Sequence, residues 1–162
     1  MDLEQDWPLI RQAFEAGLRA SKHCAVASVD AYGAPHITPI GFLFLRDNRT
    51  AFYFEKHTKK LPHHLSHNRR VCLMTVNSST YFWLAALKRA RFPSLPGVRL
   101  FGEVEDLRRA TPEELTRLDE RIGVAKHLPG AKIIWSGLDT VRDIRLTGVA
   151  PVVYPQMTSH LV

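Results

Sequence analysis

A threonine and two lysines, Thr58-Lys59-Lys60, stand between an aromatic run, Phe52-Tyr53-Phe54, and a proline-bearing stretch, Leu61-Pro62-His63-His64-Leu65. A hydroxyl and two ammonium groups at a strand–helix junction suit an anion such as phosphate, because the first N–H groups of a helix lack partners. Pro62 belongs in the first helical turn, where its missing N–H costs least, and Thr58 to Lys60 then belong to the turn before it. A solvated basic turn has the same composition, so spacing alone does not choose between the two. Four histidines, His57, His63, His64 and His67, crowd the same stretch. His63 and His67, four apart, would share a helix face and suit a metal or haem iron. No acidic residue or cysteine completes that set unless Glu55 reaches in, and no metal site is expected.

The preceding segment, His36-Ile37-Thr38-Pro39-Ile40-Gly41-Phe42, interrupts an apolar run with small and polar residues. Pro39 cannot donate a ladder hydrogen bond, so this strand is expected to be irregular or at an edge there. Backbone groups left free in this way can bind the rim of a planar heterocycle.

The elements that must hold these residues follow from periodicity. Asp6 can cap a helix over residues 7–20 whose Ile10, Phe14 and Leu18 recur on one face. Strands are predicted at His23 to Val29, Pro35 to Leu45 and Thr50 to Glu55. The connectors, Asp30-Ala31-Tyr32-Gly33 and Arg46-Asp47-Asn48-Arg49, are short enough to make an antiparallel meander. Further strands are expected at Val71 to Val76, at Val98 to Leu107 with Gly102 as a bulge or close-approach point, and between Thr140 and Tyr154. Thr111-Pro112-Glu113-Glu114 reads as a capping box ahead of a helix with Leu115, Leu118 and Ile122 buried. The first three strands leave no room for crossover helices, which disfavours a doubly wound sheet. The expected fold is therefore mainly β with flanking helices (α+β): a closed or split barrel of six antiparallel strands in one domain spanning residues 1–162.

These residues carry a resemblance. Ala25 to Asp30, Gly33 to Phe42, Phe52-Tyr53-Phe54, Thr58-Lys59-Lys60 and Asn68 to Val71 resemble, in order and spacing, the pyridoxamine 5′-phosphate oxidase-like family of FMN-binding split barrels. Arg99 to Val104 is similar to that family's next barrel strand. The resemblance implies FMN as cofactor, with His36, Ile37, Thr38, Pro39, Ile40 and Gly41 along the flavin ring. It also implies Tyr53 and Phe54 beside the ribityl chain, and Thr58, Lys59 and Lys60 at the phosphate. It implies a homodimer with flavin at the subunit interface, and oxidoreductase chemistry on a small-molecule substrate or reductant. His36 is the first candidate for proton exchange, since imidazole titrates near neutral pH.

The chain departs from the oxidase at several points. His36 stands where an arginine usually opens the ring strand, one extra residue lies near Pro62, and the oxidase's Arg/His substrate motif has no counterpart in Pro151 to Val162. Pyridoxamine phosphate is therefore not the expected substrate. A deazaflavin or haem in place of FMN, and a flavin carrier without catalysis, are the alternatives. Residues 78–97 read as a helical insertion that packs its Trp and Leu against a core or partner subunit while its basic end complements the helix dipole; a lid over the flavin, or a nucleic-acid surface in which Tyr81, Phe82 and Trp83 mix with Lys88, Arg89 and Arg91, are the other readings.

Bulk properties agree with this reading. A net charge of +6 and a pI near 9.6 favour an anionic partner. Two cysteines, Cys24 and Cys72, are too few for a disulfide scaffold and point to buried free thiols in the cytoplasm. The start, MDLEQDWPLI, is acidic and amphipathic, unlike a signal peptide, and no apolar run is long enough to span a membrane.

Overall fold

The computed structural model describes residues 1–161. Its helices are α1 (Trp7–Ser21), α2 (Lys60–Leu65), α3 (Thr80–Arg89), α4 (Pro112–Ile122), α5 (Pro129–Trp135) and α6 (Pro155–Thr158), with a 3-10 segment at Gly123–His127. Its strands are β1 (Cys24–Val29), β2 (Pro35–Ile40), β3 (Leu43–Leu45), β4 (Thr50–Phe54), β5 (Arg70–Val76), β6 (Gly97–Arg109) and β7 (Thr140–Pro151). They form one seven-stranded sheet in the order β2-β1-β5-β6-β7-β4-β3, with every neighbouring pair antiparallel.

β2 and β3 are the two outermost strands of this order, yet only Gly41 and Phe42 separate them in the chain. Three Cα steps reach at most about 11 Å. The sheet must therefore curl until its edges meet at that bend, making a split barrel flanked by helices. This also explains the count. The expected Pro35 to Leu45 strand exists, but it is broken at Gly41–Phe42, so six expected strands become seven. The meander is intact: β1 pairs with the first half of the bent strand and β4 with the second.

β4 shows how the core divides. Residues Ala51 to Phe54 are all buried, although side chains alternate sides along a strand. Ala51 and Tyr53 join the cluster that holds Phe14, Leu61 and Leu73, whereas Phe52 and Phe54 join a second cluster with Phe44, Leu118 and Val141. α1 closes the first cluster through Ile10, Phe14 and Leu18, as its spacing requires. It lies so close to β5 that a Cβ on Gly17 would stand 2.8 Å from the Thr75 side chain. Asp6 precedes this helix without capping it through its side chain, which instead accepts the Asp2 N–H. Gly102 is both a bulge and a close approach: the β6–β7 register shifts beside it, and a Cβ there would meet the Arg145 carbonyl at 2.8 Å.

The capping box of α4 forms as expected, with the Glu114 N–H donating to Thr111 Oγ1 and the Thr111 N–H to Glu114 Oε2. Leu118 is buried and Ile122 packs on the second cluster, but Leu115 is exposed, because arginines take part of the face expected to be leucine. Arg117 and Arg121 donate to the Leu45 and Leu43 carbonyls at 3.0 and 3.4 Å. These carbonyls belong to the side of β3 that does not pair with β4. Four helical residues rise about 6 Å, and two strand residues about 6.8 Å, so an i, i+4 pair matches alternate carbonyls along an edge. α4 thereby covers an edge that would otherwise be open to another strand.

One ion cluster ties this end together. Arg46 after β3 donates to Glu114 (2.5 Å) and Asp143 (2.7 Å), and Arg108 of β6 donates to the same two carboxylates at 2.5–2.9 Å. Burial alone would raise Glu114, but the bonds from Arg108, the Thr111 N–H and Arg46 outweigh it and hold the carboxyl at about 2. A carboxylate depressed on folding adds stability above its unfolded value, and that stability is lost as pH falls towards the folded value. The thermal midpoint should hold above pH 5 and fall as pH drops from about 4.5 towards 2. Glu114→Gln should lose roughly 2 kcal/mol near neutral pH and show a shallower acid decline, both read from denaturant unfolding at several pH values.

Candidate functional site

β2 is an edge strand that pairs with β1 over its whole length, so Pro39 sits where a strand tolerates a missing N–H. The expected irregularity takes the form of an edge and a following bend rather than a break in the ladder. Alternation places Ile37 and Pro39 outward and Thr38 and Ile40 inward. His36 shares the side of Thr38, and its half-buried ring meets the His64 ring of α2 edge-on at 5.3 Å between centroids. α2 therefore faces β2 across the split. His64 is buried, and its Nδ1 is 3.0 Å from Ser28 Oγ on β1, which fixes the ring against the sheet. Sequence reasoning grouped His64 with the other histidines and missed this pairing; the partner lies on a strand far away in the chain.

Thr58, Lys59 and Lys60 lead into α2 on this same side. Among the described residues the buried Thr58 hydroxyl has no hydrogen-bond partner, and the same holds for the Thr38 hydroxyl on the α2-facing side of β2. A buried hydroxyl without a partner costs stability, so each of these two is a place where a ligand atom would be accepted at a gain. Lys59 and Lys60 are exposed, and among the described residues neither pairs with a carboxylate. α2 is only six residues long, with Lys60 already its first residue and Pro62 in its first turn. Most of the positive charge at this corner comes from the lysines, since the dipole of so short a helix is small.

The other expected residues fall differently. Tyr53 is fully buried, its phenol donating to Glu55 Oε2 at 3.0 Å, and burial followed by the Glu55 charge pushes it far above the ordinary tyrosine range. Glu55 also accepts from Arg142 Nε at 2.9 Å, so it is not available to the histidines. Phe54 lies in the second core cluster. In this chain Tyr53 and Phe54 thus support the turn from below and expose almost no side-chain surface to a ligand. Gly41 lies past the end of β2, at the bend, and lines a separate cavity beside Phe42.

His63 and His67 do share one face, with ring centroids 5.2 Å apart. Among the described residues no group of three or more His, Cys, Asp or Glu is placed to hold a metal. In α3, Trp83 donates from Nε1 to the Asn77 carbonyl at 2.7 Å and packs with Phe92 and Tyr154, as the packing reading of that helix requires. The leucines do not follow: Leu84 and Leu87 are exposed on the same helix, as is Tyr81, so within this chain only the Trp part of that reading is met. The two cysteines are free thiols; burial pushes Cys24 up to about 12. No helix among the described residues is long and apolar enough to cross a membrane.

The outer face of the β2-β1-β5-β6 half is open, with apolar residues at its centre and Arg70, Arg99 and Glu103 among them. Ile37 is 64% exposed, Phe101 41% and Met74 38%. Pairing lines Ile37 up with Ala27, Ala27 with Cys72, and Cys72 with Phe101 across the four strands. A groove of about 450 Å³ runs over this face between Pro35, Cys72 and Phe101.

A family model for pyridoxamine 5′-phosphate oxidase matches residues 10–145 of the chain. No curated protein matches it significantly. Among solved structures it is similar to an FMN-binding protein from Syntrophomonas wolfei subsp. wolfei, at 15% identity over 92% of this chain and 89% of that chain, with a TM-score of 0.64. It is similar also to an F420 reductase, at 18% identity over 85% of this chain and 95% of that chain, with a TM-score of 0.53. A third is the haem storage protein HutZ from Vibrio cholerae, at 16% identity over 93% of this chain and 95% of that chain, with a TM-score of 0.52. At such identities the likeness is one of fold.

The unpartnered hydroxyls can be tested by substitution. Thr38→Val and Thr58→Val should leave the ligand-free protein as stable as the parent to within about 1 kcal/mol, or more stable. Ser28→Ala, which strips a buried histidine of its partner, should cost about 1 kcal/mol or more in the same urea titration. Equal losses from all three would show that the threonine hydroxyls are satisfied within the chain.

Proposed function

The chain belongs to the pyridoxamine 5′-phosphate oxidase family, and from that premise we propose that it is a homodimeric FMN-binding flavoprotein acting as an oxidoreductase on a small-molecule substrate. The observation that carries this reading is the Thr58 turn: among the described residues, a buried hydroxyl with no partner is followed directly by two exposed lysines with no carboxylate. A phosphate dianion supplies what all three groups lack.

In this reading Lys59 and Lys60 neutralise the phosphate and Thr58 donates to it. The free edge of β2, from His36 to Ile40, presents backbone groups to the rim of the ring, and the unpartnered Thr38 hydroxyl lies on the same strand. The flavin, once bound, would accept and return the electrons of the reaction. His36 is the residue placed to hold or pass a proton, because its ring lies at the split and is backed by His64, itself anchored to Ser28. Tyr53 and Phe54 act indirectly, by fixing the strand that ends at the turn. A deazaflavin with a phosphate on its side chain would place that group against the same lysines. Haem is the second reading, and it rests on the exposed His63–His67 pair.

The second subunit enters through the open apolar face. Ile37, Met74 and Phe101 expose apolar surface on β2, β5 and β6, on the face that includes the strand whose edge is assigned to the ring. Exposed patches of this kind mark association sites. Two copies meeting there would cover the patch and bring a second wall to the flavin. The free thiols fit a reducing cytoplasm.

The visible spectrum of the purified protein, as isolated and after incubation with FMN or haemin, should show flavin bands and no Soret band. A protein that takes up only haem, or neither, overturns the reading. Lys59→Ala and Lys60→Ala should each weaken FMN about tenfold or more, as expected for a charged hydrogen bond, while changing riboflavin less than about twofold. Phe101→Glu should shift the species in sedimentation equilibrium from dimer to monomer and lower FMN affinity with it; a variant that stays dimeric would place the interface elsewhere.

A further inference from the structure

A cavity of about 760 Å³ opens beneath the bend of the split strand, away from the Thr58 turn. That volume is typical of small-molecule sites, which run from about 300 to 1,000 Å³. Its walls come from three parts of the chain: the end of α1, the Gly41–Phe42 bend, and α4 with the segment that follows it. The interior is apolar, made by Leu18, Phe42, Ile122 and Trp135, with the Phe42 and Trp135 rings meeting edge-on at 5.9 Å. The rim is cationic, with Arg19, Lys22 and Arg121 against the single acid Glu15. Glu15 is already taken: it pairs with Arg11 at 2.9 Å and with Arg19 at 3.8 Å.

Two rim cations are left over. Among the described residues, neither Lys22 nor Arg121 has a carboxylate partner. Arg121 is exposed as a residue, yet its guanidinium lies over the Phe44 ring, 4.2 Å from the centroid, and spends one N–H on the Leu43 carbonyl. Loss of solvent, and then the neighbouring Arg117 charge, lowers it from the ordinary arginine range. Lys22 is held at the rim by a left-handed backbone that ends α1, with φ at 65°. An apolar chamber with a spare guanidinium and a spare ammonium at its mouth selects for an anion with an apolar body. It disfavours amines through the rim and strongly hydrated inorganic anions through the walls.

We propose that this cavity is a second ligand site, for an apolar monocarboxylate whose body packs on Phe42, Ile122 and Trp135 while its carboxylate is taken by Arg121 and Lys22. The site does not depend on the flavin reading, since none of Thr58, Lys59 and Lys60 lines the cavity. Gly41 joins the two regions physically, because it ends the strand assigned to the ring and forms part of the cavity wall.

Calorimetric titration with four probes tests this: decanoate, 1-naphthoate, decanol and decylamine. At least one of the two acids should bind at one per chain, and the one that does identifies the body as acyl or aryl. Decanol and decylamine should bind at least about tenfold more weakly than that acid. Arg121→Gln should weaken the acid about tenfold or more, on the scale of a charged hydrogen bond. Arg121 also contacts β3, so Lys22→Gln, at the helix end, serves as the variant that leaves the core intact; it should weaken binding about threefold or more. Bound acid should change tryptophan emission in the parent, and in Trp135→Phe that change should be lost. Absence of saturable binding by both acids, decanol binding as tightly as the acid, or unchanged affinity in a folded Lys22→Gln and Arg121→Gln pair would each overturn the proposal.

Discussion

One strand serves both edges of the sheet, and everything else in the molecule is arranged around its bend. Residues Pro35 to Ile40 pair with β1 at one edge; two residues later, Leu43 to Leu45 pair with β4 at the other. The barrel is therefore closed covalently at one corner and left split along the rest of β2. That split leaves a strand edge free opposite α2. The bend itself leaves a hollow, which α1, α4 and α5 roof but do not fill. Both regions with chemical potential follow from how sharply one strand can turn.

The same bend creates an exposed edge on β3, and the chain answers it electrostatically. Arg117 and Arg121 satisfy alternate carbonyls and lie over the Phe44 and Phe52 rings, while Arg46 and Arg108 are matched by Glu114 and Asp143. The net charge of +6 thus divides into two kinds. Several arginines are consumed in holding the barrel closed. Lys59 and Lys60 at the split and Lys22 at the hollow have no carboxylate among the described residues, and Arg121, which helps cover the β3 edge, has none either. A pI says only that cations are in excess; among the described residues other cations, such as Arg70, Lys88 and Arg99, lack a carboxylate too, so it is their surroundings that set these apart.

Local chemistry was legible wherever the reason for it is local. The capping box at Thr111, the α1 stripe of Ile10, Phe14 and Leu18, and Gly102 as bulge and close approach each depend on residues within a few positions or on a missing Cβ. The Thr58-Lys59-Lys60 turn was visible for the same reason. Leu115 and Tyr53 were harder. Helical period does not say that arginines will share the inner face of α4, nor strand period that β4 is buried on both sides. Ser28 was invisible as a partner of His64, because nothing in either segment indicates that α2 will fold onto β1.

By itself, then, the sequence determined the alternations, the caps, the turns and the order of the elements, since these are set by backbone sterics and by interactions a few residues in reach. Only the tertiary structure decided which edges meet, which hydroxyls are left without partners, and which cations remain unpaired. Each of those depends on contacts between segments up to about a hundred residues apart, such as Arg46 with Asp143. Such contacts are chosen by closure of the whole sheet rather than by any pattern along the chain. In this protein that closure turns on Gly41 and Phe42, two residues that no periodicity marks out.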